Sequence, residues 1–275
     1  MGRLVTIPWL LFGDTQIFRN GLKIYIFVVE AFIRAEVFLC AYYPQRLFPN
    51  KFQKHPMQPK ALLTKYTLSI AIIWLFHVSG ILGLLYGNSK WFVGATPLNL
   101  SLCFGLLMYT SWGVPRLNTA IVLIFSVGML AEILGVNYGL IFGHYQYGEA
   151  LGPKLMGVPW LIGANWCILV VCSGTIAQEL FDTVWARVLT GVGLMLLLDV
   201  LIEPIAPVLD FWEFNTGVAP LQNYLGWFCV ALPLHVFFQM QGIKIKGWFT
   251  HHLFLLQLLF FTLLLLQINT LQNAL

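Results

Sequence analysis

Acidic side chains set in apolar runs are the residues of this sequence most able to do chemistry. Glu132 lies five residues before Asn137 near the end of one aliphatic run, and Asp199 and Glu203 lie four apart near the end of another. A spacing of four puts Asp199 and Glu203 on one helix face. Pro204 disfavours helical backbone at Glu203 and ends the run there. A carboxylate in hydrocarbon costs about 2.5–3.5 kcal/mol on insertion scales, so such groups face a cavity or a partner. An apolar site also keeps a carboxylic acid neutral, which makes it a proton donor. The competing reading is structural: a helix–helix hydrogen bond between two of these groups.

The segments that follow these acids share an order. After Glu132 come Tyr138, Phe142-Gly143-His144-Tyr145, Tyr147-Gly148, Leu151-Gly152-Pro153-Lys154 and Gly157-Val158-Pro159-Trp160. After Asp199 come Glu203-Pro204, Asp210-Phe211-Trp212-Glu213-Phe214, Gly217, Pro220, Asn223-Tyr224 and Gly226-Trp227. Each unit runs from a carboxylate at a helix end, through an aromatic loop with glycine, to a proline and an aromatic residue opening the next span. Each of those next spans carries an asparagine, Asn165 or Asn223. This order reads as a weak internal repeat whose two units face each other around one site. Interfacial aromatic belts account for the Trp and Tyr residues, but not for the acids paired with them.

Other polar residues read more plainly. Glu30 and Arg34 are spaced to pair within one helix beside Glu36, which helps a span to insert as readily as it serves a function. His77 and His235 are isolated in apolar surroundings and read as satisfied core histidines. Cys40, Cys103, Cys167, Cys172 and Cys229 form no CxxC pair and read as buried thiols, with no zinc site or disulfide framework.

The elements that must hold these residues follow from composition. Of 275 residues, 59% are hydrophobic and 9% charged, against about 25% charged in a soluble domain. Too few ionisable groups are present to build a water-soluble surface, so the chain is expected to be an all-α, polytopic membrane helical bundle. About 20 apolar residues cross the hydrocarbon, and eight spans are expected: 20–41, 64–86, 98–113, 117–137, 159–179, 184–203, 221–241 and 251–272. The third and fourth are joined only by Gly113-Val114-Pro115-Arg116, a tight hairpin. The whole chain, 1–275, is expected to be one transmembrane domain. The short apolar run Ile7 to Phe12 reads as an interfacial segment kept in the mature protein, not a cleaved signal.

Nine basic residues fall on one side of this arrangement, five of them (Arg46, Lys51, Lys54, Lys60 and Lys65) clustered in or beside the first link, and five are scattered on the other side. The positive-inside rule then places the 42–63 link in the cytoplasm and both termini outside it. Glu132, Glu149, Asp199, Glu203, Asp210 and Glu213 all collect on the outer side.

Missing motifs narrow the chemistry. No HxxxH or HxxHH pattern of a di-iron membrane oxygenase is present, no GxGxxG, no DDxxD-like aspartate cluster and no Ser/His/Asp set placed for acyl transfer. Acid–base chemistry without metal or cofactor, in an aromatic pocket within the membrane, is what remains.

The stretch from Glu132 to Trp166, with Phe142-Gly143-His144-Tyr145-Gln146-Tyr147 and Leu151-Gly152-Pro153-Lys154-Leu155-Met156-Gly157-Val158-Pro159, resembles the bacterial and archaeal carotenoid biosynthesis membrane-protein family. So does the stretch from Asp199 to Trp227, with Glu203-Pro204 and Asn223-Tyr224-Leu225-Gly226-Trp227. The resemblance is specific over about 130–240, with a family-like core of about 117–241, and general over the first 115 residues. That family includes carotenoid 1,2-hydratases of γ-carotene, lycopene-type ends or bisanhydrobacterioruberin. The carboxylate-plus-aromatic repeat is also similar to the integral-membrane lycopene cyclases.

The resemblance implies a prokaryotic plasma-membrane enzyme with a carotenoid and water as its partners, the lipid bilayer around it, and no nucleic acid. It leaves room for association with other membrane enzymes of carotenoid synthesis. Hydration of a terminal C1=C2 bond needs a neutral acid to protonate the alkene, π faces to stabilise a tertiary cation, and a polar group to place one water. Glu132 or Asp199 is the expected acid, the other acting with Glu203 on the water. Asn165 and Asn223 are expected to orient that water. Tyr145, Tyr147, Trp160, Trp166, Trp212 and Trp227, with Asn137, Tyr138 and Phe142, are expected to line the polyene slot. A cyclase would use the same protonation and lose a proton instead. A proton-coupled carrier or a membrane scaffold would also suit acids set in a repeat.

Overall fold

The computed structural model describes residues 59–275, with side chains from Lys65 onward. The expected first span at 20–41, with Glu30, Arg34, Glu36 and Cys40, lies outside the described residues. So do the run Ile7 to Phe12 and most of the basic 42–63 link.

Nine helices and four short strands make up the described chain. In order they are α1 (Pro59–Tyr86), α2 (Ser89–Gly94), α3 (Thr96–Thr110), α4 (Leu117–Tyr138), β1 (Tyr145–Tyr147), β2 (Lys154–Leu155), β3 (Val158–Pro159), α5 (Trp160–Leu180), α6 (Val184–Ile202), β4 (Trp212–Phe214), α7 (Leu221–Met240), α8 (Gly247–Leu266) and α9 (Ile268–Ala274). Six of these, α1 and α4 to α8, are long and apolar enough to cross a membrane. The chain is therefore a multi-pass membrane protein built as a helical bundle. The span expected at 98–113 is the 15-residue α3, which has Pro97 in its first turn and the short α2 before it. At ~1.5 Å per residue it is only about 22 Å long, short of the roughly 30 Å hydrocarbon core.

Helix α5 is the axis of the bundle. It packs against α3, α4, α6, α7 and α8, and 78% of its apolar window is buried, where the other five candidate spans bury 33–44%. Its Gly163, Ala164 and Gly174 allow close approach, and Trp166 to Cys172 are buried without interruption. A helix apolar all round is what a central position requires.

Helix ends position the polar residues. Gly139 caps α4 with φ of 65°, and its N–H donates to Gly135 O; this left-handed geometry turns the chain sharply beyond Tyr138. Helix α6 stops at Ile202 ahead of Pro204, with Glu203 as its cap, still in helical geometry at φ −50° and ψ −46°. Asp199 and Glu203 therefore remain on one face, as the spacing predicts.

The two aromatic loops of the sequence repeat meet. Strand β1 from the first pairs antiparallel with β4 from the second, Tyr145 opposite Phe214 and Tyr147 opposite Trp212. Strand alternation buries Tyr145 and Tyr147 and leaves Gln146 exposed. Gly148 N–H donates to Phe211 O at 3.0 Å, and Glu149 N–H donates to the Asp210 carboxylate at 2.8 Å. Asp210 sits in the left-handed region, φ 54°, at this join. A second pair, β2 with β3, folds the chain back before α5.

Candidate active site

The acids of the two repeats converge beneath the β1–β4 ribbon. Glu132, Asp199 and Glu203 are 4%, 2% and 8% exposed, so each must find its partners within the protein. Glu132 Oε2 accepts from Tyr145 Oη at 2.5 Å and Tyr147 Oη at 2.8 Å. Its Oε1 accepts from Trp166 Nε1 at 3.0 Å. Two tyrosines from a strand and one tryptophan from α5 thus supply three donors to one carboxyl from α4.

Asp199 and Glu203 are bridged by one amide. Asn223 Nδ2, in the first turn of α7, donates to Asp199 Oδ2 and to Glu203 Oε1, both at 3.0 Å. Trp212 Nε1 on β4 donates to Glu203 Oε2 at 3.2 Å. Among the described residues no group donates to the buried Asp199 Oδ1, and the Glu203 carboxyl lies beside Asp199, close enough to share a proton with it. Leaving a buried oxygen unsatisfied costs about 1–3 kcal/mol.

Aromatic rings close the space between these acids. Trp166 and Trp227 stack with centroids 4.5 Å apart. Phe142 packs on both, at 6.5 and 6.3 Å, and Tyr145 packs on Phe214 at 5.3 Å. Gly135 permits this: a Cβ there would lie 2.9 Å from both Phe142 and the Tyr145 hydroxyl. Burial first, then the negative charge of Glu132 beside them, raises the pKa of Tyr145 and of Tyr147 above the ordinary tyrosine range. Both phenols therefore stay protonated donors.

What remains open is a chamber of about 20 Å³ lined by Glu132, Tyr145, Tyr147, Glu203, Asn223 and the aromatic rings. That is room for about one water. Beside it lies a larger cleft of about 400 Å³, lined from α1 by Leu75, His77 and Leu84, from α2 and α3 by Trp91, Phe92 and Asn99, and from α8 by Gln257 and Phe260. Ile162, Asn165 and Trp212 line both spaces and form the junction between them. Among the described residues nothing pairs with the Asn165 amide, unlike that of its counterpart Asn223.

Eleven of the residues singled out in the sequence gather here: Glu132, Asp199, Glu203, Phe142, Tyr145, Tyr147, Asn165, Trp166, Trp212, Asn223 and Trp227. The other three lie apart from them. Tyr138 and Trp160 are 62% and 49% exposed on the outside of the bundle, with Trp160 stacked on Phe125. Asn137 Nδ2 donates to Ile133 O and Met156 O and ties down the β2–β3 loop. His235 is a core residue in contact with Ser173 and Met195. Phe214 belongs to the second aromatic loop, whereas the apolar cleft residues of α1, α3 and α8 carry no motif, and their apolar character is common to every span.

The profile of the carotenoid biosynthesis protein family matches residues 94–274, from just before α3 to the last helix. The chain belongs to this family. As a carotenoid biosynthesis protein it contains both aromatic loops, all three acids and the cleft's α3 and α8 walls within the matched region. A relative from Haloarcula japonica described as bisanhydrobacterioruberin hydratase is 29% identical over 118 residues, covering 38% of each chain. The match thus spans well under half of that relative's length. No solved structure matches this carotenoid biosynthesis protein.

Proposed function

We propose that this protein is a carotenoid hydratase, adding water across the terminal C1=C2 bond of an acyclic end group without a cofactor. The observation that supports it is the junction. An apolar cleft ends at a one-water chamber that carries carboxyl groups on two sides. The hydratase name of the Haloarcula japonica relative points the same way.

The chamber is too small for an isoprenoid end, so the end group stops at Ile162, Asn165 and Trp212 while water occupies the chamber. Because Glu203 lines the chamber and Asp199 does not, we assign the acid to Glu203, in place of the Glu132 or Asp199 expected from the sequence, with Asp199 positioning it through Asn223. Two buried carboxyls this close cannot both ionise readily, which favours the state in which the pair keeps one proton. Glu203 gives that proton to C2, and the positive charge falls on the tertiary C1. Trp212, the Trp166–Trp227 stack and the Glu132 carboxylate stabilise it. Water, oriented by Asn165, adds to C1 and loses a proton to Glu132. The proton returns to the Asp199–Glu203 pair through the chamber, so the sum is alkene plus water giving a tertiary alcohol.

Expression in cells that accumulate lycopene or γ-carotene, with chromatography and mass spectrometry of the pigments, tests this. The expected product is heavier by one water and is lost in Glu203→Gln. An unchanged mass with a shifted absorption spectrum would assign the same acids to a cyclase. Unmodified pigment beside confirmed membrane expression would leave a carrier or scaffold.

A further inference from the structure

The lining of the large cleft is mostly apolar, and besides Ser79, Thr96 and the junction residue Asn165 three helices each bring a neutral polar side chain to its wall: His77 from α1, Asn99 from α3 and Gln257 from α8. None of these three belongs to the acid chamber. His77 is 4% exposed and Gln257 8%. His77 Nδ1 lies 2.8 Å from Ile73 O. A carbonyl only accepts, so Nδ1 carries the hydrogen and Nε2 is left as an acceptor. Among the described residues Gln257 Oε1 is buried without a partner, and the Asn99 side chain is engaged only by a weak contact from Cys103 Sγ at 3.8 Å. His77 and Gln257 also share a wall, because Phe260, one turn beyond Gln257, meets the His77 ring edge-on at 5.9 Å.

Polar groups inside a membrane protein are costly and mark ligand paths. Few, convergent polar groups in an apolar pocket fix a ligand's orientation. This trio carries no carboxyl or cationic side chain, so it suits neither proton delivery nor an anion. It offers the acceptors His77 Nε2 and Gln257 Oε1 beside amide N–H donors, and a hydroxyl, which both donates and accepts, matches both. We propose that His77, Asn99 and Gln257 form a hydroxyl-binding station in the polyene cleft, so that the protein prefers carotenoids already bearing an alcohol over hydrocarbon carotenoids. This rests on reading the cleft as the polyene slot, but not on the hydration step.

Binding tests it without turnover. Trp91 and Trp212 line the cleft, so a bound polyene quenches tryptophan fluorescence. The full-length protein in lipid nanodiscs is titrated with two matched acyclic carotenoids whose terminal double bonds are saturated, one a hydrocarbon and one a mono-alcohol. The expected result is roughly tenfold tighter binding of the alcohol, the size of one satisfied buried hydrogen bond. That preference should fall to within about twofold in Gln257→Met, a near-isosteric change. Equal affinity of the unmodified protein for both carotenoids overturns the proposal and assigns the station to water. So does a preference that survives both Gln257→Met and His77→Phe. The comparison in the unmodified protein needs no variant to fold. Absence of hydration activity in the pigment-accumulating cells would leave this binding result standing.

Discussion

Trp166 and Trp227 come from different helices, α5 and α7, yet lie nearly parallel, 18° between planes and 4.5 Å between centroids. Trp166 also commits its indole N–H to Glu132. The ring that walls the chamber and the acid behind it are therefore one unit. Among the described residues Trp227 has no such second duty, which separates the two in experiment. Trp227→Leu is expected to lower turnover about thirtyfold, from loss of about 2 kcal/mol of desolvated cation–π attraction. Trp166→Phe should keep the ring wall but leave Glu132 short of a donor. Rates of pigment conversion in isolated membranes, normalised to protein, check both.

Asn223 donates to both Asp199 and Glu203 and bridges the two carboxyls. Asn223→Ala leaves two buried carboxyl oxygens short of a donor, at about 1–3 kcal/mol each. The expected outcome is a clear drop in the thermal midpoint in detergent together with loss of product. Asn223→Asp, which sets a third carboxyl among the two, should be worse. A variant with unchanged midpoint and full activity would remove the bridge from the account.

Tyr145 and Tyr147 give a pH dependence of known sign. Their raised pKa means the folded state holds their protons beyond the pH at which an unfolded tyrosine loses them, about 10. Their contribution is fully present below that pH and is lost as pH rises through the folded values. Thermal melting in detergent from neutral to strongly alkaline pH should show an alkaline decline, shallower in Tyr145→Phe and Tyr147→Phe than in the parent protein.

Ile162 faces both the cleft and the chamber. Ile162→Phe is expected to close the junction, lowering conversion by tenfold or more while cleft binding, read by tryptophan quenching, persists. Overpacking costs about 1–3 kcal/mol, so melting should confirm a folded protein. Loss of binding together with activity would place the polyene elsewhere.

Much of this site is legible in the sequence because carboxylates are conspicuous in apolar runs. The four-residue spacing put Asp199 and Glu203 on one face, and the repeated order of acid, aromatic loop and asparagine indicated two units around one centre. The β1–β4 pairing joins those two loops. Spacing could not separate the aromatic residues that turn inward from those that face outward. Tyr138 precedes the capping Gly139 and points out of the bundle, whereas Tyr145 is buried by strand alternation seven residues later. Strands of three residues leave too little periodicity to read. The cleft was hidden for another reason: Leu75, Phe92 and Phe260 come from three helices, and only tertiary packing brings them together. The short α3 has the apolar composition of a span, but at 15 residues it falls short of the about 20 that a crossing needs.

Isotope tracing tests the central claim most directly. Membranes containing the protein, given lycopene or γ-carotene in heavy-oxygen water and separately in deuterium oxide, are followed by mass spectrometry of the pigment. Hydration by these acids puts one heavy oxygen in the new hydroxyl and one carbon-bound deuterium on each hydrated end, both absent in Glu203→Gln. A hydroxyl oxygen that does not come from water, or a product that gains deuterium but no oxygen, would contradict hydration by these acids.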